Sequence, residues 1–70
     1  MHDFDEYTTQ ELEVLDGIAE GQPVSNFDLD VVKSLVQKQA LEDFQGSLIV
    51  PILVMHRWEQ YKKETGFRSH

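Results

Sequence analysis

The chain has no cysteine, which removes disulfides and thiolate metal sites from the means by which so small a domain can be stabilised. Its longest apolar run, Leu48 to Met55, is broken by Pro51 and is far shorter than the roughly 20 residues that span a bilayer, so no membrane span is expected. His2, His56 and His70 stand apart, with no His-x-x-x-His pair, and no metal site is expected. Ser25, Ser34, Ser47 and Ser69 lie in no nucleophile elbow and no glycine-rich phosphate loop. Nothing marks a catalytic residue or a bound cofactor. A chain of 70 residues is one domain at most, residues 1–70, and a chain of that size buries only about 60% of its unfolded surface. That leaves little room for a deep active-site cleft, and a non-catalytic binding protein is the expectation. Absence of cysteine fits a reducing compartment. The acidic start Met1-His2-Asp3-Phe4-Asp5-Glu6 is the opposite of the basic start of a signal peptide, so a cytoplasmic location is expected.

Basic residues are unevenly placed. Met1 to Asp30 carries nine acids (Asp3, Asp5, Glu6, Glu11, Glu13, Asp16, Glu20, Asp28, Asp30) and no lysine or arginine, whereas Val31 to His70 carries six basic residues against four acidic ones. The whole chain has a net charge of -7, which opposes a phosphate backbone and makes nucleic acid the less expected partner. Such a polarity is either neutralised inside the molecule or turned outward to a partner.

Along the chain, Thr8 with Glu11 forms a capping-box pair, Tyr7 with Leu12 is spaced for a hydrophobic staple, and Leu12, Leu15 and Ala19 recur at helical spacing with Val14 and Ile18 beside them. This predicts a first helix over about Thr9 to Glu20, closed by Gly21, with residues 1–6 frayed and a folded core over 7–65. The acids Glu11, Glu13, Asp16 and Glu20 fall mostly off the apolar stripe and are expected on the outer surface. After the turn at Gln22 to Asn26, a second helix is expected from near Phe27 to about Ala40, capped by Ser25 or Asn26. Its expected buried stripe is Leu29, Val32, Leu35 and Val36. Gln45-Gly46 then joins two short strands, Leu41 to Phe44 and Ser47 to Val50. Pro51 opens a third helix over Ile52 to Glu64, although an apolar run of this length also admits a strand through Val54.

One stretch, Leu35-Val36-Gln37-Lys38-Gln39-Ala40-Leu41-Glu42, resembles the end of a winged-helix recognition helix entering its wing. That pattern commonly reads Leu-Val-x-Lys-Gly, two aliphatic residues and an acid, and Leu35, Val36, Lys38, Leu41 and Glu42 match it. Together with the element order, the resemblance covers roughly Thr8 to Tyr61 and implies an α+β fold: a small winged-helix-like domain of two helices, a short hairpin and a C-terminal helix. The helix-turn-helix is shortened, because Gln22 to Asn26 is too short for a separate helix, and Gln39 stands where glycine is usual. The resemblance also implies that the second helix would read DNA, with Lys33, Ser34, Gln37 and Lys38 facing outward.

Two surfaces are candidates for a protein partner: the acids Glu11, Glu13, Asp16 and Glu20, and the aliphatic group Ile49, Ile52, Leu53 and Met55. Exposed apolar side chains mark interfaces, and a symmetric dimer through that second surface is one outcome considered. Trp58, Tyr61 and Phe67 interleave with Arg57, Lys62, Lys63 and Arg68 as in single-strand binders, but the helical spacing of Val54, Trp58 and Tyr61 favours a core, with Leu35 and Trp58 expected to be buried. The expected function is a small acidic protein-binding adaptor or regulator. The alternatives are a DNA-binding transcription regulator and an acidic inhibitor that mimics nucleic acid.

Overall fold

A computed structural model describes residues 4–67; the first half of the expected frayed start, Arg68 and His70 lie outside them. The domain is α+β, with three helices and one two-stranded antiparallel hairpin, an arrangement compatible with a small winged-helix-like domain.

Helix α1, Thr9–Ala19, begins as its sequence predicts. The Glu11 N–H donates to Thr8 Oγ1 at 3.1 Å, and the Thr8 N–H donates to Glu11 Oε1 at 2.8 Å, so each satisfies an amide the helix start leaves open. At its end Gly21 turns left-handed, its N–H donates to the Ile18 carbonyl, and the Gln22 N–H reaches the Gly17 carbonyl. This pair of bonds is the Schellman closure.

The segment after α1 is more structured than its sequence suggests. Val24–Asn26 forms one 3-10 turn, and Phe27 is extended behind it. The Phe27 ring lies so close to Gly17 that a Cβ there would come within 2.5 Å of it. Because Ser25 and Asn26 are taken up in that turn, neither caps the next helix. Asp28 does so instead, its Oδ1 accepting the Asp30 N–H at 2.9 Å, and helix α2 runs Leu29–Gln37, starting later and ending earlier than predicted. Its end is a second Schellman closure: the Gln39 N–H donates to the Val36 carbonyl and the Ala40 N–H to the Leu35 carbonyl. Gln39 adopts a φ of 63°, taking up the left-handed position that Gly21 fills in α1.

Strands β1, Glu42–Phe44, and β2, Ser47–Ile49, pair with Glu42 opposite Ile49 and Phe44 opposite Ser47. Gln45 and Gly46 both have positive φ, as a tight two-residue connection needs. Pro51 then caps helix α3, Ile52–Thr65, which settles the choice between helix and strand through Val54 in favour of the helix.

The buried core draws Leu12, Val14, Leu15 and Ile18 from α1, Val32 and Leu35 from α2, Ala40 and Leu41 from the connection, and Trp58 from α3. Leu35 and Trp58 are fully buried, as expected, whereas Leu29 and Val36 of the predicted α2 stripe are exposed. With α2 only nine residues long, one narrow strip of it reaches α1. Phe4 is the main correction at the start of the chain. It is buried, with its ring edge-on to Tyr7, Trp58 and Tyr61 at 5.2, 5.3 and 5.4 Å between centroids, so Phe4 joins the core ahead of the expected boundary at residue 7.

Candidate functional site

On an α-helix, residues five apart point about 140° away from each other, so Glu11 and Asp16 leave α1 on different sides. Each side is covered. Glu11 is 5% exposed and Asp16 2% exposed, which corrects their expected place on the outer surface.

Glu11 meets α2. Ser34 Oγ donates to its Oε2 at 2.6 Å, and Lys38 Nζ lies 2.8 and 2.9 Å from its two oxygens. Burial alone would push this carboxyl up, but the hydrogen bonds from Lys38, Ser34 and the Thr8 amide, with the Lys38 charge, hold it down at about 2. The Lys38 ammonium also lies 4.6 Å above the centre of the Tyr7 ring. Asp16 meets α3: its Oδ1 accepts from Trp58 Nε1 and from Lys62 Nζ, each at 2.9 Å. Two of the nine early acids are thus neutralised internally by lysines from the later half of the chain. No buried side-chain polar atom of the described residues lacks a hydrogen-bond partner.

The two proposed surfaces therefore fare differently. Of the acidic set, Glu13 and Glu20 are exposed and Glu11 and Asp16 are interior, so the four do not form one outward face. In the α2 set, Lys33 and Gln37 are exposed, whereas Ser34 and Lys38 are committed to Glu11. Trp58 belongs to the core, with Tyr61 stacked at 5.6 Å and Phe67 edge-on at 5.0 Å.

The aliphatic surface stands outside. Ile52 is 78% exposed and Leu53 71%, and Ile49 is exposed beside them in the chain, while Met55 is half-buried. The hairpin register explains why Ile49 faces outward. Side chains alternate across a strand, so Glu42, Phe44, Ser47 and Ile49 share one face while Leu41, Leu48 and Val50 share the other. Leu41 is buried and Leu48 and Val50 pack against the core, which leaves Phe44 and Ile49 on the solvent side. Phe44 was not singled out from sequence, although the two-residue turn at Gln45-Gly46 already places it on the face of Ile49. Next to Leu53 is an open groove of about 480 Å³, bordered by Phe4, Tyr7, Ala40, Val54, Lys38 and Arg57.

No group of three or more His, Asp or Glu among the described residues could hold a metal, and none of their helices is long and apolar enough to cross a membrane. No protein-family model, curated protein or solved structure matches the chain.

Proposed function

We propose that this chain is a small, acidic, non-catalytic adaptor or regulator that binds another protein through the hairpin and the start of α3. The observation that carries this reading is the outward position of Ile52 and Leu53, the two most exposed large apolar side chains, directly after the outward pair Phe44 and Ile49. On this reading the four side chains act as one apolar surface, and such surface in water usually marks an interface. A winged-helix kinship and a cytoplasmic setting fit this reading. A second copy of the chain remains one partner to be tested, by sedimentation equilibrium at tens of micromolar.

DNA binding has less support. Two of the four α2 residues that would face a groove, Ser34 and Lys38, already serve Glu11, and the net charge of -7 repels phosphate. The expected result is no retention of random duplex DNA at physiological salt. Micromolar binding that steepens at low salt and is lost on Lys33→Glu would favour the DNA reading instead.

The adaptor reading is tested by a photo-crosslinking amino acid placed at Leu53 and, separately, at Glu13. A discrete adduct from position 53 that Ile52→Glu abolishes, with none from position 13, is the expected outcome. Adducts from position 13 alone would move the interface to α1.

A further inference from the structure

We infer that the partner meets this domain with an extended segment, which adds as a further strand along the free edge of β2. The inference rests on the adaptor reading above and adds the conformation and chemistry of the occupant: main-chain amides in register with β2, and apolar side chains at alternate positions.

Its basis is the pairing of the hairpin. In an antiparallel ladder, pairs that exchange hydrogen bonds alternate with pairs that do not, and the pair that closes a two-residue turn is of the first kind. Phe44 and Ser47 close this turn, so they turn their amides toward each other, as do Glu42 and Ile49, whereas Asp43 and Leu48 turn theirs outward. Val50, next in the alternation, is oriented as Leu48 is. Among the described residues the sheet has two strands, and no backbone hydrogen bond joins Asp43, Leu48 or Val50 to another element. The hairpin therefore has two edges, with Asp43 on one and Leu48 and Val50 on the other.

The two edges differ. Unpaired N–H and C=O groups invite another chain, and proteins blunt such an edge with charge or proline. Strand β1 carries Glu42 and Asp43, and Asp43 Oδ1 accepts the Gly46 N–H at 3.2 Å. Ser47-Leu48-Ile49-Val50 carries no charge and no proline. A strand laid beside β2 would bond to the N–H and C=O of both Leu48 and Val50, and would stop at Pro51, which has no N–H to offer. Its residue opposite Ile49 would point to the same outward face and extend the apolar surface of Phe44 and Ile49. A helix resting on Ile52 and Leu53 would leave the edge amides to water. A second copy is disfavoured as the occupant, because it would set two chains of charge -7 edge to edge.

The test follows amide chemical shifts and solvent exchange in the isotope-labelled full chain. The probes are a capped peptide of alternating valine and threonine, the same peptide with every amide N-methylated, and an amphipathic helical peptide of leucine and glutamine. In the free chain the Leu48 and Val50 amides should exchange faster than that of Ile49. The strand peptide should shift and slow Leu48 and Val50 most, and N-methylation should weaken it roughly tenfold or more, the scale of one or two lost main-chain bonds. Equal binding of the methylated peptide, or binding of the helical peptide alone at residues 44–53, would overturn the inference and leave the adaptor reading standing. Slowed exchange at Asp43 in place of Leu48 and Val50 would put the strand on the other edge and overturn it as well. Slowing at Leu48 and Val50 without peptide, rising with protein concentration alongside a dimer mass, would give the edge to a second copy and overturn the inference. No shift with any of the three peptides would also overturn it, and the adaptor reading would then be decided separately by crosslinking from position 53.

Discussion

Helix α1 takes two carboxylates into the interior, while residues 44–53 leave four large apolar side chains exposed. Each region inverts what hydropathy alone assigns to it, and the reason is the same. Burial is decided by what lies opposite. Glu11 and Asp16 are enclosed because α2 and α3 bring each of them a lysine and a second donor, so the cost of removing a carboxylate from water is offset by charge and hydrogen bonds. Ile52 and Leu53 stay outside because the core on the inner side of the hairpin is already filled by Leu41, Leu48, Val50 and Trp58.

The comparison breaks most visibly at Asp16. Asp16→Ala strands the buried Trp58 indole N–H and the Lys62 ammonium, at an expected cost of about 3 kcal/mol. A core this small supplies roughly 3–5 kcal/mol in all, so the variant keeps at most about 2 kcal/mol, and urea unfolding followed by tryptophan fluorescence should show the transition moved close to zero denaturant.

Glu11 gives a smaller effect with a pH signature. Glu11→Gln should cost about 1–2 kcal/mol, because an amide retains one acceptor but not the ion pair. The folded carboxyl titrates at about 2 against an ordinary value of 4.5, so as pH falls the unfolded chain takes up the proton first. The contribution of Glu11 is therefore complete above pH 4.5 and is lost as pH falls toward 2. Acid titration of the parent should show this loss of stability between those values, and in Glu11→Gln that part of the slope should be missing.

Smaller still, and opposite in sign, is the change at the end of α2. Gln39 holds a left-handed φ of 63°, a conformation that L side chains enter at a cost. Gln39→Gly should raise stability by about 0.5–1 kcal/mol in the same urea assay. A loss of stability would mean that the Gln39 side chain makes a contribution larger than its backbone strain.

The local part of this structure was legible in the chain. The capping box of Thr8 and Glu11, the glycine at 21, the Gln45-Gly46 turn and Pro51 before α3 each act within a few residues, and each element forms where those signals place it. What escaped depends on distance in sequence. Glu11 reaches Ser34 and Lys38, Asp16 reaches Trp58 and Lys62, and Phe4 packs on Trp58 and Tyr61. No periodicity announces those partners, so the acids read as solvated and the first residues as loose. The end of α2 was misjudged for a local reason: a glutamine in the left-handed position closes the helix where sequence preference would call for glycine.

The most direct test is the thermal unfolding of Ile52→Ser/Leu53→Ser. If these side chains are surface groups kept for a partner, removing them costs little, and the midpoint should stay within about 3 °C of the parent. A fall of roughly 10 °C or more, equivalent to more than 1 kcal/mol in a domain this size, would show that Ile52 and Leu53 are core residues. It would contradict the claim that this surface is left open for binding.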